Sequence, residues 1–214
     1  WIRLHYLYPE WIDDRLIDVI AREDKILKYL DIPLQHCNDK ILKKMNRRGD
    51  KKYLCALLDK LRERIPGLVL RTSIIAGLPG EGEEEFDELC DFLREQKLLR
   101  AGVFPYSPEE GTRAAKMERV DSDEAARRAE RIVDIQSEII DAWNDERQGD
   151  VMEVLCEGFD GQSMLFVGRS YAESPDIDGR IYFSAPRDVA AGEFVPVRIT
   201  GAMDGELTGE LAEE

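Results

Sequence analysis

The 214-residue chain carries 45 Asp plus Glu against 30 Lys plus Arg, a formal net charge of −15, with 43% hydrophobic and 35% charged residues. That balance excludes an intrinsically disordered chain, and it argues against a nucleic-acid partner gripped through its phosphates, which needs a basic surface. No apolar run approaches the roughly 20 residues of a membrane span and no signal-peptide pattern opens the chain, so no membrane role and a cytoplasmic location are expected.

The opening WIRLHYLYP has β-prone residues from its first position, with neither Met nor a polar lead-in, and reads as a point inside a longer protein. IRLHYLY (2–8) suggests a strand and DDRLIDVIARE (13–23) an amphipathic helix with Leu16, Ile17 and Ile20 on one face. KYLDIPLQ (28–35) is the next predicted strand, followed by a helix over 38–47 with Asn38 or Asp39 as its N-cap. Leu54, Leu57, Leu58 and Leu61 repeat at helical spacing within 51–64. A strand at 68–76, a helix at 83–96 on Phe86, Leu89, Cys90 and Leu93, and a strand at 101–107 complete the alternation. Such an order predicts parallel βαβ units. Four units are too few to close an eight-stranded barrel of about 250 residues, so an open, partial barrel is expected.

Residues 121–149 read as a long helix, with Asp121 and Glu124 as a capping box and Gly149 as its stop. Beyond it, VMEVLCEG, SMLFVGRS, RIYFSAP, EFVPVRIT and ELTGEL are short alternating stretches separated by turn residues, the pattern of a five-stranded antiparallel barrel of OB-like size. Two domains follow, 1–149 and 150–214. From Asp150 onward there are 14 Asp plus Glu against four Arg and no Lys, a net of −10, while residues 1–149 carry a net of −5. The smaller domain holds most of the excess, which suits a cationic partner or simple solubility.

Cys37, Cys55, Cys90 and Cys156 are scattered without metal-ligand spacing, so neither a cluster nor a zinc site is expected within this chain. Cys55 and Cys90, on apolar helix faces, are expected to be buried thiols, and a catalytic Cys37 is disfavoured. In parallel α/β architecture, ligands meet the carboxyl ends of the strands. On one strand face Asp31, Pro33 and Gln35 would make a polar interior that invites a partner. His36, just before a helix, either caps it or rests on the rim. Arg71 falls mid-strand, where a guanidinium needs an anion: a ligand carboxylate is one candidate and Asp31 the other. The turn Gly77-Leu78-Pro79-Gly80 allows close backbone approach to a ligand, and Glu81 is the acidic residue nearest to it. Glu83, Glu84 and Glu85 suit the helix dipole.

Three of these stretches, YLDIPLQHCNDKILKKMNRR, RTSIIAGLPGEGEEEF and FPYSPEEGTRA, resemble in fixed order the methylthiotransferases of the radical S-adenosylmethionine superfamily. The acidic barrel resembles the TRAM domain that ends those enzymes, and the likeness runs from Trp1 to about Leu211. WIRLHYLYP and GRSYAESPDIDGRIYF (168–183) are most similar to the branch that modifies an aspartate of a small-subunit ribosomal protein. The sister branches modify adenosines of tRNA, and an acidic TRAM domain fits a basic protein target better than RNA.

The resemblance implies a whole enzyme using S-adenosylmethionine and two 4Fe-4S clusters, with a 5′-deoxyadenosyl radical taking hydrogen from an unactivated carbon before a methylthio group is transferred. The family's CxxxCxxC motif is missing from this chain, so the fragment is expected to bind no cluster and to be inactive by itself. By motif position Gln35, Arg71, Thr72, Gly77 and Tyr106 fall on the cofactor-facing wall. The implied partner is the basic ribosomal protein, reached through the acidic TRAM domain, and a monomer is expected. A non-catalytic protein- or RNA-binding module and a plain small-molecule α/β enzyme stand as alternatives. The edge strand at 2–8 is a candidate for pairing with another copy.

Overall fold

Pro33 shapes the first domain, because a residue without an N–H cannot continue a strand ladder. The computed structural model describes residues 1–212 and divides them into two compact units, one of residues 1–139 and one from Ile140 onward.

In the first unit β1 (Ile2–Leu4), β2 (Ile26–Asp31), β3 (Val69–Ala76) and β4 (Arg100–Pro105) form a parallel sheet in chain order. Helices α1 (Asp14–Arg22), α2 (Asp39–Lys44), α3 (Lys51–Arg64) and α4 (Glu83–Gln96) alternate with them, α2 and α3 together filling one crossover. This is the expected partial α/β barrel. Leu70, Ile74 and Ala76 of β3 join Leu58 and Leu61 of α3 and Phe86, Leu89 and Phe92 of α4 in one buried cluster.

Several boundaries differ from expectation for local reasons. β1 stops at Leu4 because Tyr6 is left-handed at φ 57° and Pro9 opens a short 3-10 turn, so the edge is far shorter than 2–8. β2 ends at Asp31, ahead of Pro33, and Gln35 rejoins the sheet as an isolated bridge to Ile74 with φ 68°. The period-two face expected of Asp31, Pro33 and Gln35 is therefore broken. Leu34, off the ladder, gives its N–H to Thr72 Oγ1 at 3.1 Å.

Asn38 is the N-cap of α2, accepting from Lys40 and Ile41, while Asp39 accepts from Lys51 N–H at the start of α3. α5 (Ser122–Glu146) starts on Asp121, whose Oδ1 accepts from Asp123 and Glu124 N–H. The reciprocal half of the capping box is absent, because the Glu124 carboxylate turns to Arg128. The division between the two units falls inside α5.

In the second unit β5 (Val151–Asp160), β6 (Leu165–Arg169), β7 (Ile181–Ser184), β8 (Phe194–Met203) and β9 (Glu206–Leu211) close into a barrel of order β5-β6-β7-β9-β8. The closure is OB-like, as expected, except that β7 and β9 run parallel. Val195, Val197 and Ile199 of β8 point inward with Val154, Phe183 and Leu207, and their neighbours Pro196 and Arg198 point to water. The segment between β6 and β7 is a folded loop: Ser170 and Glu173 are buried, and Glu173 Oε2 accepts from Ser170 N–H and Oγ.

A Cβ at Gly168 would lie 2.5 Å from Leu155 O and 2.6 Å from Val154 Cγ1. Gly168→Ala is therefore expected to destabilise the barrel by about 1–3 kcal/mol, read as a lower midpoint in urea unfolding followed by circular dichroism.

Candidate functional site

In a parallel ladder, residues in register stand side by side on one face. The register aligns Asp31, Arg71 and Arg100 in one row across β2, β3 and β4, with Ser73 beside Gly102 in the row nearer the carboxyl edge. These project from the face opposite the helical core. Asp31 is fully buried and receives Arg71 Nη1 at 3.0 Å, with His5 Nδ1 at 3.4 Å. The Arg3 guanidinium lies 4.2 Å from the centre of the Tyr29 ring, which is tilted 60° to the His5 ring with centres 5.9 Å apart. Of the two partners open to Arg71, Asp31 is the one the fold supplies.

At the carboxyl edge Tyr106 N–H donates to Ala76 O at 2.8 Å, so the residue after β4 sits beside the Gly77 turn. The Tyr106 phenol oxygen is buried and has no hydrogen-bond partner among the described residues. A buried polar atom left unsatisfied costs free energy, and it is the type of group that a polar ligand completes. Gln35 is half-buried next to the same turn's strand, its backbone bonded to Ser73 and Ile75.

Thr72 and Gly77 are placed differently from Arg71. Thr72 lies on the helix-covered face, 1% exposed, with its hydroxyl holding the Leu34 N–H. Gly77 has φ 79°, and a Cβ there would be 2.4 Å from Cβ of Ala125 in α5. The close approach that this glycine permits is to a helix. Its N–H donates to Glu81 Oε1 at 2.9 Å.

Glu81 does not face outward as its place beside the turn suggested. It is 3% exposed, and Oε1 also accepts from Arg128 Nη1 at 2.8 Å, while Oε2 stands 3.3 Å from His36 Nε2. His36 is fully buried, and its Nδ1 accepts the Asn38 N–H, which leaves the ring proton on Nε2, facing Glu81. His36 thus serves the start of α2 from inside rather than resting on the rim. Arg128 also bonds Glu124 and the Glu81 carbonyl, and stacks 5.1 Å from the Phe86 ring centre. Burial works to raise the Glu81 pKa, but His36, Arg128 and the Gly77 N–H together hold it below the ordinary carboxyl value. Glu85 closes a capping interaction on Gly82 N–H and pairs with Lys40, which with that backbone bond pulls its pKa down to about 2.

Sequence reasoning missed Arg128, His5 and Arg100. Arg128 had one visible signal, the Glu124/Arg128 spacing on α5; the other two depend on register. The cysteines are free, with Cys37, Cys90 and Cys156 buried and Cys55 only half-buried; burial pushes the Cys37 thiol far up, which suits packing rather than nucleophilic work. Among the described residues no group of three or more His, Cys, Asp or Glu is placed to hold a metal ion. A sheet face that carries the Arg71 guanidinium along its strands and an unsatisfied Tyr106 phenol oxygen at its carboxyl edge has groups of the kind that a polar organic cofactor such as S-adenosylmethionine engages.

Residues 1–93 match the radical SAM superfamily and residues 149–212 match the TRAM domain. Fold and site thus define the class as a radical SAM barrel segment followed by a TRAM barrel. Over 215 residues the chain is 45% identical to the ribosomal protein uS12 methylthiotransferase RimO of Acetivibrio thermocellus, covering 100% of this chain and 48% of that protein. It is 46% identical to the protein of the same name from Symbiobacterium thermophilum, covering 100% of this chain and 44% of that one. Over its whole length the chain is thus similar to radical SAM methylthiotransferases, and it spans about half the length of the curated relatives it matches. Coproporphyrinogen III oxidase HemN of Escherichia coli, a radical SAM enzyme, superposes with a TM-score of 0.53 at 20% identity, over 64% of this chain and 32% of that chain, a likeness of fold.

Replacing Glu81 takes from Arg128 its buried carboxylate partner and from the Gly77 N–H its acceptor, so Glu81→Ala is expected to cost about 3–5 kcal/mol in urea unfolding. The folded pKa values of Glu81 and Glu85 lie below 4.5, so their contribution is complete above that pH and is lost as pH falls through the folded values. Unfolding midpoints measured from neutral pH down to about pH 3 should therefore decline less steeply in Glu81→Ala than in the parent chain.

Proposed function

We propose that the chain is the C-terminal part of an enzyme that methylthiolates an aspartate of ribosomal protein uS12, with its functional boundary at Gly149. The single observation that carries this reading is a match along the whole chain to uS12 methylthiotransferases at 45–46% identity. The acidic barrel supports a protein target: a net of −10 from Asp150 onward repels tRNA phosphates and attracts a basic ribosomal protein. Action on a ribosomal protein places the enzyme in the cytoplasm. Among the described residues no helix is long and apolar enough to cross a membrane. We further propose that the full-length protein acts as a monomer with two 4Fe-4S clusters held outside this chain.

Once bound and given one electron by a cluster, S-adenosylmethionine would supply the hydrogen-abstracting chemistry that opens an unactivated C–H bond; the residues of this chain would bind it, orient it and keep water away. In this reading Arg71 meets the cofactor's carboxylate while Asp31 keeps the guanidinium in place. The Tyr106 hydroxyl and the Gln35 amide hydrogen-bond the cofactor's polar groups. Thr72 and Gly77 support the wall from behind, one through Leu34 and the other through Glu81 and Ala125.

The test is the full-length enzyme, reconstituted with its clusters and offered uS12 and tRNA separately. Mass spectrometry should find the methylthio group on an aspartate of uS12; modification of tRNA instead would sink the protein-substrate reading, and modification of neither would favour a binding module. Tyr106→Phe removes a hydroxyl that has no partner in the free protein, so thermal stability should hold while S-adenosylmethionine binds about fivefold more weakly by equilibrium dialysis. Unchanged affinity would remove Tyr106 from the wall.

A further inference from the structure

The TRAM barrel carries an aromatic ladder that its own core does not need in full. Phe159 on β5 stands opposite Phe166 on β6, and Phe166 stands opposite Phe183 on β7. The first pair packs edge to face at 5.2 Å and the second stacks at 5.6 Å. Exposure falls along the ladder from 53% at Phe159 to 9% at Phe166 and 0% at Phe183. A bulge between Cys156 and Gly158, with Gly158 at φ 150°, shifts the alternation of β5 and brings Phe159 onto the same side as Phe166. Unbulged, the strand would have turned Phe159 to the other face.

Beside these rings lies a groove of about 740 Å³, floored by Phe159, Phe166, Pro186 and Val189. Its one lining cation, Arg187, is already held by Glu193 at 2.6 Å and by the Asp188 carbonyl at 2.9 Å. Asp188 is the carboxylate that lines the groove. The groove therefore offers an apolar floor with a paired cation and one carboxylate at its rim, on a domain whose net charge is −10 from Asp150 onward. Exposed rings on OB-like barrels often stack nucleic-acid bases, but that use requires basic residues around them. A second copy of a chain with net charge −15 is repelled, as is an anionic membrane surface.

We propose that this groove is a docking site for a Lys/Arg-rich polypeptide segment, which inserts one large apolar side chain against Phe159 and Phe166 while its cations meet the acidic barrel. The proposal rests on reading the barrel as the protein-recognising part, and it adds a selective anchor to what charge alone would attract. Charge gives encounter rate and low selectivity, whereas a filled apolar groove discriminates among basic segments.

Calorimetric titration of the 214-residue chain with acetylated, amidated Lys-Lys-Phe-Lys-Lys and Lys-Lys-Ala-Lys-Lys tests this. The Phe peptide should bind about tenfold more tightly, the scale expected for one buried apolar side chain. Phe159→Ala should bring the Phe peptide down to the Ala peptide's affinity, with the latter and the circular dichroism spectrum unchanged, and Phe159→Leu should recover part of the preference. Equal affinity of the two peptides, full preference retained in Phe159→Ala, or tighter binding of single-stranded oligothymidylate would overturn the proposal. In the full-length enzyme, Phe159→Ala should raise KM for uS12 severalfold at unchanged kcat. An unchanged KM overturns the groove alone. An enzyme inert on uS12 that keeps its peptide preference overturns the functional reading and leaves the groove standing.

Discussion

One buried carboxylate organises the carboxyl edge of the sheet. Glu81 takes the Gly77 N–H, the Arg128 guanidinium and the approach of His36 Nε2, so a turn, a distant helix and the start of another meet on two oxygens. A carboxylate out of water is costly unless most of its lone pairs are used. Here that demand dictates the rest: Gly77 must present its N–H inward, which needs φ 79°, and α5 must come close enough for Arg128, which excludes a side chain at Gly77. The glutamates that crowd this turn thus divide by role. Glu81 fastens the turn internally, Glu85 completes the start of α4, and Glu83 reaches the outer edge of Arg128.

The opposite side of the sheet answers to a different constraint. A row with two arginines and one aspartate is unusual for a sheet interior, and Asp31 is buried completely in it. Aliphatic residues would have packed there at lower desolvation cost. In the proposed function this row is the ligand-facing surface, and the Asp31 carboxylate holds the Arg71 guanidinium in place.

Much of this was legible in the sequence where the signal is local. The leucine spacing of α3 and the acidic start of α4 mark those helices to their ends, and the alternation of β8 marks its inward face. What escaped involves pairs far apart in the chain. Arg128 meets Glu81 across 47 residues, and Arg71 aligns with Arg100 through strand register, neither of which any short window contains. Strand faces failed where backbone conformation departs from regular extension: at Pro33, which ends β2, at the left-handed Tyr6 and Gln35, and at the Gly158 bulge. Of the five residues that motif position suggested, Arg71 was legible as a charge in need of an anion. Thr72 faces the helices while Arg71 faces the other side, because adjacent strand residues point opposite ways.

The Arg71–Asp31 pair has a thermodynamic corollary. Because the guanidinium is already neutralised, an anion arriving at it joins or replaces a resident partner instead of filling an empty charge site. The free energy of capture is then a difference between two ion pairs, small in magnitude and weakly responsive to ionic strength, while geometry decides the winner. Simple buffer anions gain little from such an exchange, whereas a carboxylate delivered by a molecule anchored elsewhere on the wall gains from its tether. Under the proposed function, selectivity at this position would arise from competition with Asp31 inside the protein.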